Sequence, residues 1–152
     1  MLNVKSERLE ETASSKLSTL TLLTSRFLMR KGEKPLESKE KALEAAKASL
    51  DKKAKDVLIL DLQGLTTITD FFVICSGEST TQVKAIVEQI KERFDTAGIK
   101  PLGIEGLSYS HWVLMDYGDV IIHIFEGETR SFYELEKLWI DAKRIPLEEY
   151  HH

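Results

Sequence analysis

Ser76-Gly77 closes an apolar run, Phe71-Phe-Val-Ile-Cys, and precedes a helical pattern. A small turn between a strand and a helix can lie against the phosphates of a nucleotide. Nucleotidyl transfer at such a turn also needs a close pair of acids to hold magnesium beside the triphosphate. The nearest candidates, Asp116 and Asp119, fall on opposite sides of a hairpin turn and are equally well explained as strand ends. No Gly-x-Gly-x-x-Gly and no Gly-Lys-Ser/Thr phosphate loop occurs. Metal ligation would draw on His111 and His123, which lie on adjacent strands, but no third ligand accompanies them. His151 and His152 end the chain, either native or left from a purification tag, and carry no argument. Cys75 is the single cysteine, so an internal disulfide and a cysteine-based metal site are both excluded. It sits inside an apolar strand, where the thiolate is disfavoured, and reads as a small core residue. No cofactor is implied. What remains is a crowd of aromatic residues, Trp112, Tyr117, Tyr133 and Trp139, with Asp116, Asp119, Glu134, Glu136 and Arg130 around them. Aromatic anchors ringed by charge suit a protein-binding face. The competing reading is that both tryptophans are core.

The stretch Trp112 to Phe125 must position these residues. It reads as two strands joined at Tyr117-Gly118, where glycine supplies the φ > 0 that a tight hairpin needs. In the second strand Val120, Ile122 and Ile124 point one way and Ile121, His123 and Phe125 the other. Both sets are mostly apolar, so both faces are covered and the hairpin belongs in the middle of a sheet. Upstream, Ser38 caps a helix to about Ala54 whose stripe is Leu43, Ala46 and Leu50. Asp56 to Leu62 is a buried strand ended by Gly64, and Phe71 to Ser76 is a second strand. Ser79 and Gln82 form a capping box for the clearest amphipathic helix, with Val83, Ile86, Val87, Ile90 and Phe94 inward and Gly98 past its end. Pro101 to Glu105 is a short strand. Ser131 and Glu134 look like another capping box, opening a helix through Phe132, Leu135, Leu138 and Trp139, which Pro146 bars from continuing. The expected fold is α/β of the mixed α+β kind, a mixed central sheet of about five strands flanked by helices, with Phe71 to Glu105 as a βαβ crossover.

The chain has 152 residues, of which 42% are hydrophobic and 30% charged. That suits one globular domain, residues 38–145, with an appendage. Its net charge of −4 argues against a protein that tracks phosphates and is compatible with docking onto a basic protein. Composition fits a reducing cytoplasm, and no run is long enough for a membrane span. Residues 1–37 are rich in Ser and Thr and include Arg26 and Arg30, as targeting peptides do, yet Glu7, Glu10 and Glu11 are acids that such peptides avoid. The expectation is a mobile, partly helical extension, with 146–152 as a short tail.

Five ordered motifs carry a resemblance. They are Thr69-Asp-Phe-Phe-Val-Ile74, Val83-Lys-Ala-Ile86, Pro101-Leu-Gly-Ile-Glu-Gly106, Trp112-Val-Leu-Met-Asp-Tyr-Gly-Asp-Val-Ile-Ile-His123 and Phe132-Tyr-Glu-Leu-Glu-Lys-Leu-Trp139. Together, over about Ser38 to Ala142, the chain resembles the Iojap family, whose bacterial members are ribosomal silencing factors. The resemblance implies a nucleotidyltransferase-like domain without catalytic acids and a translation repressor that is not an enzyme. It implies a partner, ribosomal protein uL14 of the large ribosomal subunit, steric blockade of small-subunit joining when nutrients are scarce, and a homodimer off the ribosome. Neither a membrane nor sequence-specific nucleic acid is implied as a partner. Carried over onto the matching positions, the expected partner contacts are Trp112, Asp116, Tyr117, Asp119, His123, Arg130 and Tyr133. A divergent nucleotidyltransferase or nucleotide-binding protein is the alternative, and a purely oligomerising domain a third reading.

Overall fold

The computed structural model describes residues 36–147. The helix and targeting readings of the N-terminal segment, and the histidines at the C-terminus, lie outside them. Helix α1 (Ser38–Asp51) leads into strand β1 (Lys55–Asp61), strand β2 (Phe71–Gly77), helix α2 (Thr80–Thr96) and strand β3 (Gly103–Glu105). Strands β4 (Trp112–Asp116) and β5 (Val120–Glu126) follow, then helix α3 (Gly127–Tyr133), a 3-10 helix (Leu135–Trp139) and strand β6 (Lys143–Arg144).

The six strands form one sheet in the order β3-β4-β5-β2-β1-β6. Only β2 and β5 run parallel; every other neighbouring pair is antiparallel. The register sorts side chains into two faces. Phe71, Val73 and Cys75 pair with Val120, Ile122 and Ile124, and Val113 and Met115 join them across β4. This face packs under α1 and α2 as the main core, with Val83, Ile86, Val87, Ile90 and Phe94 facing it. The opposite face carries Phe72, Ile74, Leu114, Ile121, His123 and Phe125, all buried. The hairpin is therefore central and covered on both sides, as its alternation implies.

Local chemistry explains the boundaries. Ser79 accepts from the Gln82 N–H at 3.1 Å, the first half of the expected capping box, while the Gln82 side chain reaches one residue further back and accepts from the Glu78 N–H at 2.7 Å. Gly98 follows α2 with φ +78°, the left-handed step that glycine takes without strain. In the hairpin, Tyr117 N–H donates to Val120 C=O at 2.9 Å, so Tyr117 belongs to the ladder. The two turn residues are Gly118 and Asp119, one step later than the sequence suggests. Gly118 supplies the positive φ, at +86°. β2 and β3 point the same way with β5 and β4 between them, so Phe71 to Glu105 is a crossover that skips two strands.

Further expectations need correction, and the sheet of about five strands gains one at its edge. This sixth strand is the two-residue β6 against Leu60 and Asp61, too short to leave an alternation in the sequence. The helix expected to Ala54 stops at Asp51. Ser131 caps nothing: it lies inside α3, where its hydroxyl donates to Gly127 C=O at 3.2 Å. Glu134 instead ends α3 in the left-handed conformation, φ 47° and ψ 49°. That break divides the expected helix. Leu135 turns inward, while Phe132 and Leu138 stay exposed despite their helical spacing.

Candidate functional site

The centre of the second face is His123. The Trp112 indole N–H donates to its Nδ1 at 3.0 Å, which leaves the proton of a neutral imidazole on Nε2. Phe72 meets the imidazole edge-on at 4.6 Å between centroids. Trp112 stacks on Phe125 at 4.8 Å and meets the Tyr133 ring at 5.0 Å. Trp139 closes on Phe72 from the 3-10 helix at 5.8 Å. Sheet register produces most of this: Trp112 and Phe125 are direct cross-strand partners, and Leu114 pairs with His123. His123 is fully buried, whereas Trp112 and Tyr133 are half-buried at the margin of the cluster. Each tryptophan thus packs into the fold and, being half-buried, also reaches the surface.

The other expected contacts scatter. Asp116 is buried on this face and its carboxylate accepts from the Gly118 N–H at 2.8 Å, an Asx turn that shapes the hairpin. Asp119 turns the other way and binds Lys41 of α1 through both oxygens, at 3.0 and 3.1 Å. Strand parity sends Tyr117 to the helix-covered face, where it packs against Phe94 at 4.5 Å. Burial raises its phenol pKa above the ordinary value, with Asp95 adding to the shift. Its hydroxyl is buried with no hydrogen-bond partner among the described residues. Because a buried hydroxyl without a partner costs about 1–3 kcal/mol, Tyr117→Phe should leave thermal stability unchanged or raise it by up to ~1 kcal/mol. Calorimetry that found a clear loss would show a bond the phenol needs.

Arg130 is turned inward. It donates to the Asp56 carbonyl at 2.6 Å, the Ser76 hydroxyl at 2.9 Å and Glu136 at 3.3 Å. Asp56 sits in a bulge of β1 with φ 50°, so this guanidinium caps an irregular strand, the end of β2 and the 3-10 helix at once. It fixes α3, and with it Tyr133. Arg130→Ala should cost about 2 kcal/mol, because charge-assisted bonds of this kind are worth ~1.5–3 kcal/mol each and some relax. Chemical denaturation of the variant checks this.

Ser76-Gly77 also lines this region. An open cleft of about 600 Å³ lies at the carboxyl ends of β2 and β5, walled by Lys55, Glu78, Arg130, Glu136, Lys137 and Arg144 among others. Asp116 and Asp119 are elsewhere. Asp119 C=O accepts from Phe71 N–H at the start of β2, and five residues at ~3.3 Å each put Ser76 roughly 17 Å away. The two acids, on opposite faces, cannot hold a metal beside that turn. Cys75 is fully buried and burial pushes its thiol up to about 12, so it is inert at neutral pH. Among the described residues, no group of three His, Cys, Asp or Glu side chains is placed to hold a metal ion, and no helix is long and apolar enough to cross a membrane.

Residues 35–152 match the family described as "Ribosomal silencing factor during starvation". The ribosomal silencing factor of Bacillus subtilis is 46% identical over 104 residues, 68% of this chain and 88% of that protein. The chloroplastic Iojap protein of Arabidopsis thaliana is 33% identical over 118 residues, 73% of this chain and 46% of that protein. A crystal structure of a Chromobacterium violaceum protein superposes with a TM-score of 0.67 at 35% identity, covering 68% of this chain and 87% of that one. The chain belongs to the ribosomal silencing factor family.

Proposed function

We propose that this protein represses translation by occupying the large ribosomal subunit at ribosomal protein uL14 and sterically blocking the small subunit. The observation that carries the reading is the Trp112–His123–Tyr133 cluster, an aromatic surface braced from beneath by the sheet, in a chain of the ribosomal silencing family. Half-buried aromatic residues that are already ordered make good anchors, because little freedom is lost on docking. The net charge of −4 favours a basic ribosomal protein over bare RNA as the point of contact. On this reading the protein works in the cytoplasm by occupancy, without chemistry of its own, and self-associates when off the ribosome. A nucleotidyl-transfer reading would need a metal-holding pair of acids at Ser76-Gly77; Asp116 and Asp119 are at the far end of the strands, and Glu78 and Glu136, which do line the cleft, are bonded to Lys55 and Arg130.

The test is sedimentation. Purified large subunits are mixed with the protein, and small subunits are added afterwards. The protein should travel with the large subunit, and whole ribosomes should become fewer. A protein left at the top of the gradient would sink the proposal.

A further inference from the structure

Phe132 is 81% exposed, and it is the outermost ring of a connected series. Its ring meets Tyr133 edge-on at 5.1 Å, Tyr133 meets Trp112 at 5.0 Å, and Trp112 stacks on Phe125 at 4.8 Å. Helix α3 buries none of its residues, so Phe132 does not serve the core. Its outward direction is nevertheless fixed. The left-handed Glu134 ends the helix immediately after Tyr133, and Arg130, two residues before Phe132, is bonded to the Asp56 carbonyl, Ser76 and Glu136. A large apolar side chain is thereby held in water on a braced support. Folding leaves the burial of this ring unused. Exposed Glu128 precedes it in the chain, Glu134 is already paired with Lys137 at 2.9 Å, and the chain carries a net charge of −4, a balance that disfavours RNA phosphates as its neighbour and favours a basic protein surface.

The geometry points to Phe132 as the leading anchor of the docking surface, inserting into an apolar pocket with a basic rim on ribosomal protein uL14. This rests on the proposed function, and it adds a residue whose helical spacing suggests the core. Phe132→Ala should leave the melting temperature unchanged and weaken binding at least about tenfold, the loss typical of an anchor residue. Phe132→Leu, which keeps an apolar filling, should recover most of the affinity. Leu65→Ala is the control: it removes another exposed apolar side chain, in the β1–β2 loop at the opposite end of the sheet, and should bind as wild type.

Affinity is measured for the full chain against both isolated uL14 and the large subunit. A matching loss on both supports the assignment. If Trp112→Ala loses binding while Phe132→Ala does not, the anchor is overturned and the proposed function stands. A loss on the subunit alone also overturns it, since the pocket then belongs to RNA or another protein. If wild-type protein itself fails to bind uL14, the functional reading falls, and the anchor with it.

Discussion

Trp112→Ala is expected to weaken binding to the large subunit on the order of a hundredfold, the range of a central tryptophan anchor. The indole contributes in three directions at once: it stacks on Phe125, supports Tyr133 and donates to His123 Nδ1. Alanine removes the anchor and also the wall against which Tyr133 rests, so two contacts are lost together. The same geometry means the substitution is not silent in the fold. A half-buried tryptophan truncated to alanine costs about 2–3 kcal/mol, somewhat below the range for a fully buried one. Binding must therefore be read at a temperature where circular dichroism shows both proteins folded. Trp112→Phe separates the roles. It keeps a ring against Phe125 and removes the N–H that His123 accepts, so it should fall between wild type and alanine. Equal, undiminished binding by the alanine variant would remove Trp112 from the docking surface.

The sheet was legible because its signals are local. The alternation of Val120 to Phe125, the Ser79–Gln82 cap and the spacing Val83 to Phe94 each operate within a single element or at its end, and each is found in place. Parity already held the placement of Tyr117. Counting by twos from Trp112 reaches Leu114 and Asp116, so Tyr117 falls on the other face, under α2. Arg130 was not legible. Its role depends on the Asp56 carbonyl in a bulge 74 residues earlier, and no pattern in the sequence marks a bulge. Phe132 misled for a related reason. Its steps to Leu135 and Trp139 are helical, but a single left-handed residue, Glu134, breaks the period between them. Non-glycine residues enter that conformation only when the surroundings impose it. The cluster around His123 was suggested by residue types and by family resemblance. Its internal arrangement follows from pairing register, which a single strand does not reveal.

Gly106→Ala should be the most damaging of these substitutions to the fold, and it should disable the surface from behind. Gly106 lies between β3 and β4 with φ +84°, and a Cβ added there would stand 2.2 Å from the Trp112 carbonyl oxygen. That oxygen belongs to the backbone at the first residue of β4 and cannot rotate aside as a side chain would. Either the loop moves, losing the bond from Ser110 N–H to Gly106 C=O, or the start of β4 moves and carries Trp112 away from Phe125 and Tyr133. Left-handed strain adds ~1–2 kcal/mol to the cost of the overlap. A total of about 3–5 kcal/mol would lower the melting temperature by roughly 10–20 °C in a domain of this size. Gly64 isolates the overlap, since it has nearly the same φ, +83°, and nothing within 4 Å of an added Cβ. Gly64→Ala should therefore show the strain alone. If the two variants melt together, the close approach to Trp112 does not govern Gly106. If Gly106→Ala melts far lower, and at low temperature also binds the large subunit poorly, the glycine is required because the surface-bearing strand passes directly against it.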